Sequence, residues 1–283
     1  MGDRFVRGRA RLTRLWLGGA RRLEQRRRGV PEIWEQRRAW IRELAPGNSF
    51  LDVGGMFHVA GDVSFWAEEA GATSVSLFDG MDPSPEFQAK HAERASGIRY
   101  QQADLHDPED VALAGRHDIV WCTGVIYHSP SPFQQLLHLR ELTGQRLVLG
   151  THVIPEIPGI ENGCVFYPGR SLVSEAAFAH AHGARAGAYP GATGPLDETP
   201  NLAYANMWWG ITPSALRGML RYAGFGIETE VRYTRFLMDV VARPLATPDH
   251  IPPLGFSRAR GRDRLMALGD DAPGWAVAPA ERF

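Results

Sequence analysis

The chain has 283 residues, of which 44% are apolar and 22% charged, and its formal net charge is −1. These values are ordinary for a globular protein with a sizeable core. Two distant cysteines, Cys122 and Cys164, exclude a disulfide framework and a cysteine metal cluster. No stretch predicts a membrane span, and the arginine-rich start lacks the apolar segment of a signal peptide. We therefore expect a protein of the reducing cytoplasm with no transmembrane segment.

Residues 1–45 are predicted to form a basic helical arm. Residues 4–28 are typical of one or two helices, and Pro31–Leu44 of another that begins at a proline. Residues 1–30 hold ten arginines against two acidic residues, so the rest of the chain is net acidic. Such an arm indicates an anionic partner, either nucleic acid or a membrane surface. The alternative is an amphipathic helix that packs on the domain through Phe5, Leu12, Leu15, Trp16 and Leu23.

The stretch 48–79 predicts the first half of a nucleotide-binding α/β sheet. A strand at Ser49–Val53 contains Asp52 and is followed by Gly54 and Gly55; a helix (Gly61–Ala70), a second strand (Thr73–Phe78) and Asp79 come next. Glycines directly after a strand let the backbone approach a ligand, and an acid after the second strand can accept hydrogen bonds from ribose hydroxyls. The alternative is a tight turn with no ligand.

The glycine pattern differs from the dinucleotide fingerprint, because Met56 and Val59 occupy two of its glycine positions. A pyrophosphate ligand, and with it a nicotinamide dehydrogenase, is therefore disfavoured. The loop is closer to the D-x-G-x-G loop of S-adenosylmethionine (SAM) methyltransferases.

The remaining elements continue an alternation of helices and strands. A helix at Glu86–Arg94 precedes a third strand at Ile98–Gln102, which leads to Asp104 and Leu105 beside the expected adenine. The fourth strand, His117–Cys122, is a continuous apolar run opened by Asp118, as expected for a strand buried on both faces, and leads to Thr123. A helix at Phe133–Leu142, ended by Gly144, and a fifth strand at Leu147–Val153 follow.

The C-terminal part predicts an insertion, a helix and a hairpin. Residues 155–205 are rich in Gly, Pro and Ala and are too long for a connector, so they predict an insertion after the fifth strand, on the substrate side. The helix Pro213–Tyr222 and an antiparallel pair, Ile227–Tyr233 and Phe236–Ala242, complete a domain at 46–244, and 245–283 is predicted to be a tail. This is the class I methyltransferase layout: α/β, a mostly parallel Rossmann-like sheet with an antiparallel C-terminal hairpin and N-terminal helices.

Two motifs carry a more specific resemblance. One is the run that contains Gly124, Val125, Tyr127, His128, Ser131 and Pro132, and the other is NMWWGITPSALRGMLRYAGF from residue 206. The chain resembles the tRNA wobble-uridine carboxymethyltransferases, which form 5-carboxymethoxyuridine, and the wider set of SAM methyltransferases that share their domain. The resemblance covers about 48–244 with a poor match at 163–204, and implies a class I fold, an S-adenosyl donor and alkyl transfer.

The resemblance also implies roles for individual residues. It places Gly54 at the glycine-loop position, Asp79 at the ribose acid and Tyr127 beside the donor. Met56 and His58 replace glycines of the family loop. The lysines and the tryptophan with which the wobble enzymes select a carboxylated donor have no counterpart, because the first lysine of the chain is Lys90. Ordinary SAM is therefore the expected donor, and a wobble-uridine substrate does not follow.

Candidate catalytic and acceptor residues lie after the fourth and fifth strands. His128 follows the fourth strand and is a candidate base for an acceptor that must lose a proton; the alternative is a structural histidine at a helix start. Tyr127 is expected to line the methyl-transfer pocket. We assign acceptor binding to His152, Asn206, Trp208 and Trp209, the tryptophans as an aromatic wall. Because adjacent tryptophans point in different directions, the alternative for one of them is a place in the core. No metal is expected, since His180, His182 and Cys164 match no strong spacing.

The favoured function is SAM-dependent methyl transfer to an oxygen or nitrogen of a small molecule or glycan. A tRNA- or RNA-modifying methyltransferase that uses the arginine-rich arm on phosphates is the first alternative. Trp16 alone in the basic run supports base stacking poorly. A non-catalytic domain that keeps the fold but has lost the donor is the second alternative, because the glycine loop is altered.

Overall fold

We used a computed structural model, which describes residues 32–57, 59–166 and 208–246. Several predictions lie outside these residues: the helices at 4–28, most of the insertion at 155–205, the acceptor residue Asn206, and the tail from 247 onwards. Among the described residues, no helix is both long and apolar enough to cross a membrane.

A seven-stranded sheet forms the centre of the molecule. Its strands are β1 (Ser49–Val53), β2 (Ser74–Asp79), β3 (Arg99–Gln102), β4 (His117–Thr123), β5 (Thr143–His152), β8 (Phe225–Arg232) and β9 (Leu237–Pro244). They lie in the order β3-β2-β1-β4-β5-β9-β8; strands β1 to β5 pair in parallel, and β9 pairs antiparallel with both β5 and β8. A separate antiparallel ribbon pairs β6 (Cys164–Phe166) with β7 (Trp209–Ile211).

Helices cover both faces of the sheet. They are α1 (Ile33–Leu44), α2 (Asp62–Glu69), α3 (Pro85–Glu93), α4 (Pro108–Ala114), α5 (Pro132–Leu142) and α6 (Pro213–Tyr222). One apolar cluster unites residues of α1, α2 and α3 with one face of the sheet, and a second unites α4, α5 and α6 with the other. The strand β1 alternates between them, since Phe50 belongs to the first cluster and Leu51 to the second. The predicted parallel sheet with its C-terminal antiparallel pair is confirmed.

Three helices begin with the same local chemistry. Ser84, Asp107 and Thr212 each accept a hydrogen bond from a backbone amide in the following first turn, and each precedes a proline. A capping oxygen satisfies an amide that has no partner within the helix, and proline has no amide to satisfy. These caps fix where the chain turns from the site edge of the sheet, or from the ribbon, into the next helix.

Helix α1 is fastened to the sheet by a buried ion pair. Arg37 Nε and Asp239 Oδ2 lie 2.7 Å apart, a second contact of 2.9 Å makes the pair bidentate, and the Tyr233 hydroxyl donates to the same carboxylate. Burial disfavours the charge of Arg37, but the charge and hydrogen bonds of Asp239 outweigh it, so the pKa of Arg37 is raised. Gly150 lies directly beside this pair, because an added Cβ would be 2.5 Å from both partners.

Two local predictions need correction. Gly144 does not end a helix; α5 ends at Leu142, and Gly144 lies within β5, where a Cβ would be 2.8 Å from the carbonyl oxygen of His117. The close pairing of β4 with β5 therefore explains this glycine. The helix α4 was not predicted at all, although Asp107 and Pro108 provide a cap and a first turn.

Candidate functional site

The site is built where β1, β2 and β4 end side by side. Val53, the last residue of β1, is in register with Phe78 on one side and Cys122 on the other. The loops after these strands therefore emerge at one edge of the sheet, which is where open α/β sheets bind ligands. The structure places three of the predicted site residues, Gly54, Asp79 and Thr123, at this edge.

Gly54 holds the turn after β1 against the loop after β4. Its amide donates to the Phe78 carbonyl at 2.8 Å, and its φ is +79°, a value that L side chains rarely adopt. A Cβ at this position would lie 2.3 Å from Cγ2 of Val125. Only glycine permits this turn and this contact together.

Asp79 joins the glycine loop to the loop after β2. Its Oδ2 accepts from the Met56 amide and its Oδ1 from the Met81 amide, both at 2.8 Å. Burial raises the pKa of Asp79, and the two amide hydrogen bonds offset part of that rise. A carboxylate offers about four acceptor positions, so Asp79 keeps acceptor capacity for a ligand. Met81 itself presents a side chain that is 46% exposed.

Tyr100 supports the same loop from β3. Its hydroxyl donates to the Met81 carbonyl, and burial, aided by Asp79 and Asp82, raises the pKa of Tyr100 to about 12. From the sequence, Met56 was noted only as a replacement for a loop glycine, and Met81 was not singled out. Their positions, directly after the glycine pair and two residues after the acid, were the only available signal.

Asp52 lies beneath the glycine loop. It is 2% exposed, and its Oδ2 accepts from the Ser64 hydroxyl at 2.8 Å. A Cβ on Gly55 would come within 2.4 Å of the same oxygen, so the glycine allows the carboxyl to pack against the loop. Burial, with a smaller contribution from Asp79, raises the pKa of Asp52 to about 7, although the Ser64 hydrogen bond opposes the rise.

The loop after β3 contributes one exposed acid and one buried apolar residue. Asp104 is part-exposed, and its Oδ1 accepts from the His106 amide at 2.9 Å. The Leu105 side chain is buried in the core, and its carbonyl lies 2.7 Å from Nδ1 of His138 on α5. Both residues are predicted to bind the methyl donor. Asp104 offers its side chain at the edge of the sheet, whereas Leu105 offers only its backbone.

The loop after β4 carries an aromatic cluster. A short 3₁₀ turn, Ile126–His128, follows the glycine at 124, whose φ is +89°. The Tyr127 ring lies 4.2 Å from the His152 ring, edge to face, and 4.1 Å from the His128 ring. The structure thus brings together the three predicted residues Tyr127, His128 and His152, with Tyr127 only 6% exposed.

The ribbon β6–β7 places further aromatic side chains beside this loop. The Trp209 indole donates to the Pro130 carbonyl at 2.9 Å, and the Trp208 amide donates to the Tyr127 carbonyl at 3.4 Å. Phe166 of β6 packs against both tryptophans and is 55% exposed. The two adjacent tryptophans therefore differ in role: Trp209 anchors the ribbon, and Trp208 lies between Phe166 and the Tyr127 loop.

Within the described ranges, no group of three or more His, Cys, Asp or Glu side chains is placed to hold a metal ion. His180 and His182, which were considered from the sequence, lie outside these ranges.

No protein-family profile and no curated protein matches the sequence. Solved structures do match in fold. The N-terminal domain of EvdMO1 with S-adenosylhomocysteine (SAH) bound is 18% identical with a TM-score of 0.51, over 77% of this chain and 82% of that one. The 1,6-didemethyltoxoflavin-N1-methyltransferase of Burkholderia thailandensis, with 1,6-didemethyltoxoflavin and SAH bound, is 16% identical with a TM-score of 0.50. This match covers 76% of the present chain and 82% of the methyltransferase. The chain therefore has the class I methyltransferase fold.

Proposed function

We propose that this protein is a SAM-dependent methyltransferase that acts on an oxygen or nitrogen of a small molecule or glycan. The observation that carries the proposal is the placement of Asp79. Its carboxylate lies at the end of β2, held by two loop amides, beside the Gly54 turn at the ligand-binding edge of the sheet. A fixed acceptor of this kind suits the paired hydroxyls of a ribose.

The residues at the edge fit an S-adenosyl donor in chemical character. Asp79 would accept from the ribose hydroxyls, the exposed Met81 would cover a face of the base, and Asp104 would accept from its amino group. Gly54 and Gly55 carry no side chain, so the amino-acid part of the donor could approach the backbone after β1, and Thr123 would lie at the same edge. Bound there, the donor supplies an electrophilic methyl group on a sulfonium, and the protein's main task is to align the acceptor with it.

The acceptor side would be formed by the aromatic cluster. The nearly buried Tyr127 would line the methyl-transfer pocket. Trp208 would add flat apolar surface, and His128 and His152 provide ring nitrogens within one cluster. We assign His128 the role of base for an acceptor hydroxyl, since it lies just after β4 on the ligand side. Trp209, Asn206 and His152 remain proposed acceptor-binding residues.

The fold neighbours support a small acceptor. One neighbour is a 1,6-didemethyltoxoflavin-N1-methyltransferase. The N-terminal domain of EvdMO1 was also crystallised in the presence of SAH and D-fucose, and that structure is 20% identical with a TM-score of 0.50. The resemblance to the wobble-uridine enzymes keeps RNA as the alternative acceptor. The arginine-rich residues 1–30, which would bind RNA, lie outside the described residues.

Calorimetric titration with SAM and SAH tests the proposal. We expect micromolar binding, and a loss of about tenfold or more in Asp79→Asn, because hydrogen bonds to a charged group contribute about 1.5–3 kcal/mol. Asp82→Asn, an exposed acid three residues away, is the matched control and should bind normally.

The purified protein also distinguishes the alternatives. A nucleic-acid absorbance that salt removes would favour the RNA-modifying enzyme. A folded wild-type protein that binds neither SAM nor SAH would overturn the proposal and leave the non-catalytic domain.

A further inference from the structure

Three side chains form a hydrogen-bonded chain between the loops after β3 and β4. His106 Nδ1 lies 3.0 Å from Asp104 Oδ1, and His106 Nε2 lies 2.7 Å from Ser129 Oγ. Asp104 and His106 are partly exposed, whereas Ser129 is buried. The chain therefore begins at the edge proposed to hold the donor and ends inside the loop that carries Tyr127.

The two ring nitrogens of His106 each face a hydrogen-bonding atom of a different loop. In the tautomer of the neutral imidazole that carries its proton on Nδ1, Nδ1 donates to an Asp104 carboxylate and Nε2 accepts from the Ser129 hydroxyl. The Ser129 oxygen in turn accepts from the Ser131 amide at 2.9 Å. The neutral ring therefore satisfies both loops at once.

The order acid, histidine, serine is that of a nucleophilic triad, but the burial argues for a different role. A nucleophile must reach its substrate, and Ser129 is only 1% exposed. The Ser129 amide also donates to the Ile126 carbonyl at 3.1 Å, which closes the turn that contains Tyr127. The backbone of Ser129 therefore closes this turn, and its hydroxyl ties the turn to His106 and to the Ser131 amide.

We infer that His106 is a positioning residue that couples donor binding at Asp104 to the conformation of the Tyr127 turn. This inference rests on the proposed function. The adenine of the methyl donor, bound by Asp104, would hold the Asp104 carboxylate in place. The carboxylate would orient the His106 ring, and the ring would hold the Ser129 hydroxyl. Coupling between two sites is reciprocal, so a change at Ser129 must alter the affinity for the donor.

A double-mutant cycle with SAH as the probe tests this inference. Ser129→Ala removes a hydroxyl that is buried behind His106, and we expect it to weaken SAH binding about three- to tenfold, the range for one neutral hydrogen bond. In a His106→Ala background the same change should have no further effect, because the link is already broken. Ser96→Ala is the matched control: it removes a serine hydroxyl bonded to Glu68, and SAH affinity should stay unchanged.

Two conservative variants separate coupling from simple support of the loop. His106→Asn keeps a hydrogen-bond donor near Asp104 but is too short to reach Ser129. His106→Gln can reach Ser129 but loses the donor beside Asp104. Coupling requires both contacts, so both variants should bind SAH as weakly as His106→Ala; if the alanine variant does not fold, His106→Asn replaces it in the cycle. The inference would be overturned if His106→Gln bound SAH as tightly as the wild type, if the effects of Ser129→Ala and His106→Ala on SAH affinity were additive, or if Ser129→Ala left the affinity unchanged. A wild-type protein that does not bind SAH would overturn the proposed function instead.

Discussion

The buried Asp52 carboxyl should make the stability of the protein fall as the pH rises. Its pKa in the folded protein is about 7, against an ordinary value of 3.8. Between these two values the folded chain keeps a proton that the unfolded chain has lost, so the stabilisation is complete below about pH 4 and is lost as the pH approaches 7. At ~1.4 kcal/mol per pH unit, the loss is at most about 4 kcal/mol.

Asp52→Asn isolates this effect. The asparagine keeps the shape of the protonated acid and can still accept from Ser64, but it cannot ionise. We expect the variant to gain stability relative to the wild type by about 2–4 kcal/mol between about pH 5 and about pH 8. Urea unfolding midpoints of the ligand-free proteins across this range measure the gain.

The surface variant Asp82→Asn provides the reference for the Asp52 experiment, and its stability curve should run parallel to that of the wild type. If the Asp52→Asn curve is parallel as well, the burial argument for this carboxyl is wrong.

Two further changes test the packing around the site. Gly54→Ala should lower the free energy of unfolding by about 2–5 kcal/mol, because the cost of a left-handed backbone adds to that of an overlap with Val125. Urea unfolding measures this loss, and a loss below ~1 kcal/mol would contradict the geometry. Asp239→Asn should cost about 3–5 kcal/mol because it leaves Arg37 buried without its counter-charge. The double variant Arg37→Met/Asp239→Leu should restore part of this loss in thermal unfolding, and an equal or larger loss would mean that the ion pair is not the cause.

Local chemistry made the central sheet predictable. Ser49–Val53 and His117–Cys122 are short apolar runs that end at glycine or threonine, and such runs have few alternatives to a buried strand. The acid at Asp79 was also predictable, because its position after a strand follows from the chain order alone. These features depend on residues that are close in sequence.

Other features depend on residues that are distant in sequence. Arg37 and Asp239 are 202 positions apart, and no pattern near either one indicates the pair. The same holds for His106 and Ser129, which meet because the loops after β3 and β4 emerge at one edge of the sheet. Gly144 misled the prediction for the same reason: its small size serves the neighbouring strand, whereas a local interpretation assigns it to the end of a helix.

The β6–β7 ribbon bears on how this protein could change its substrate during evolution. Phe166 and Trp209 are direct partners in the ribbon, so the chain leaves and re-enters the fold at nearly the same point. A segment joined at two neighbouring points can be lengthened at a cost that grows only with the logarithm of its length. Insertions between these two residues would therefore carry a small entropic cost as long as the two anchoring residues stay paired. The ribbon thus provides a fixed anchor at which the length of the intervening segment can vary between related proteins.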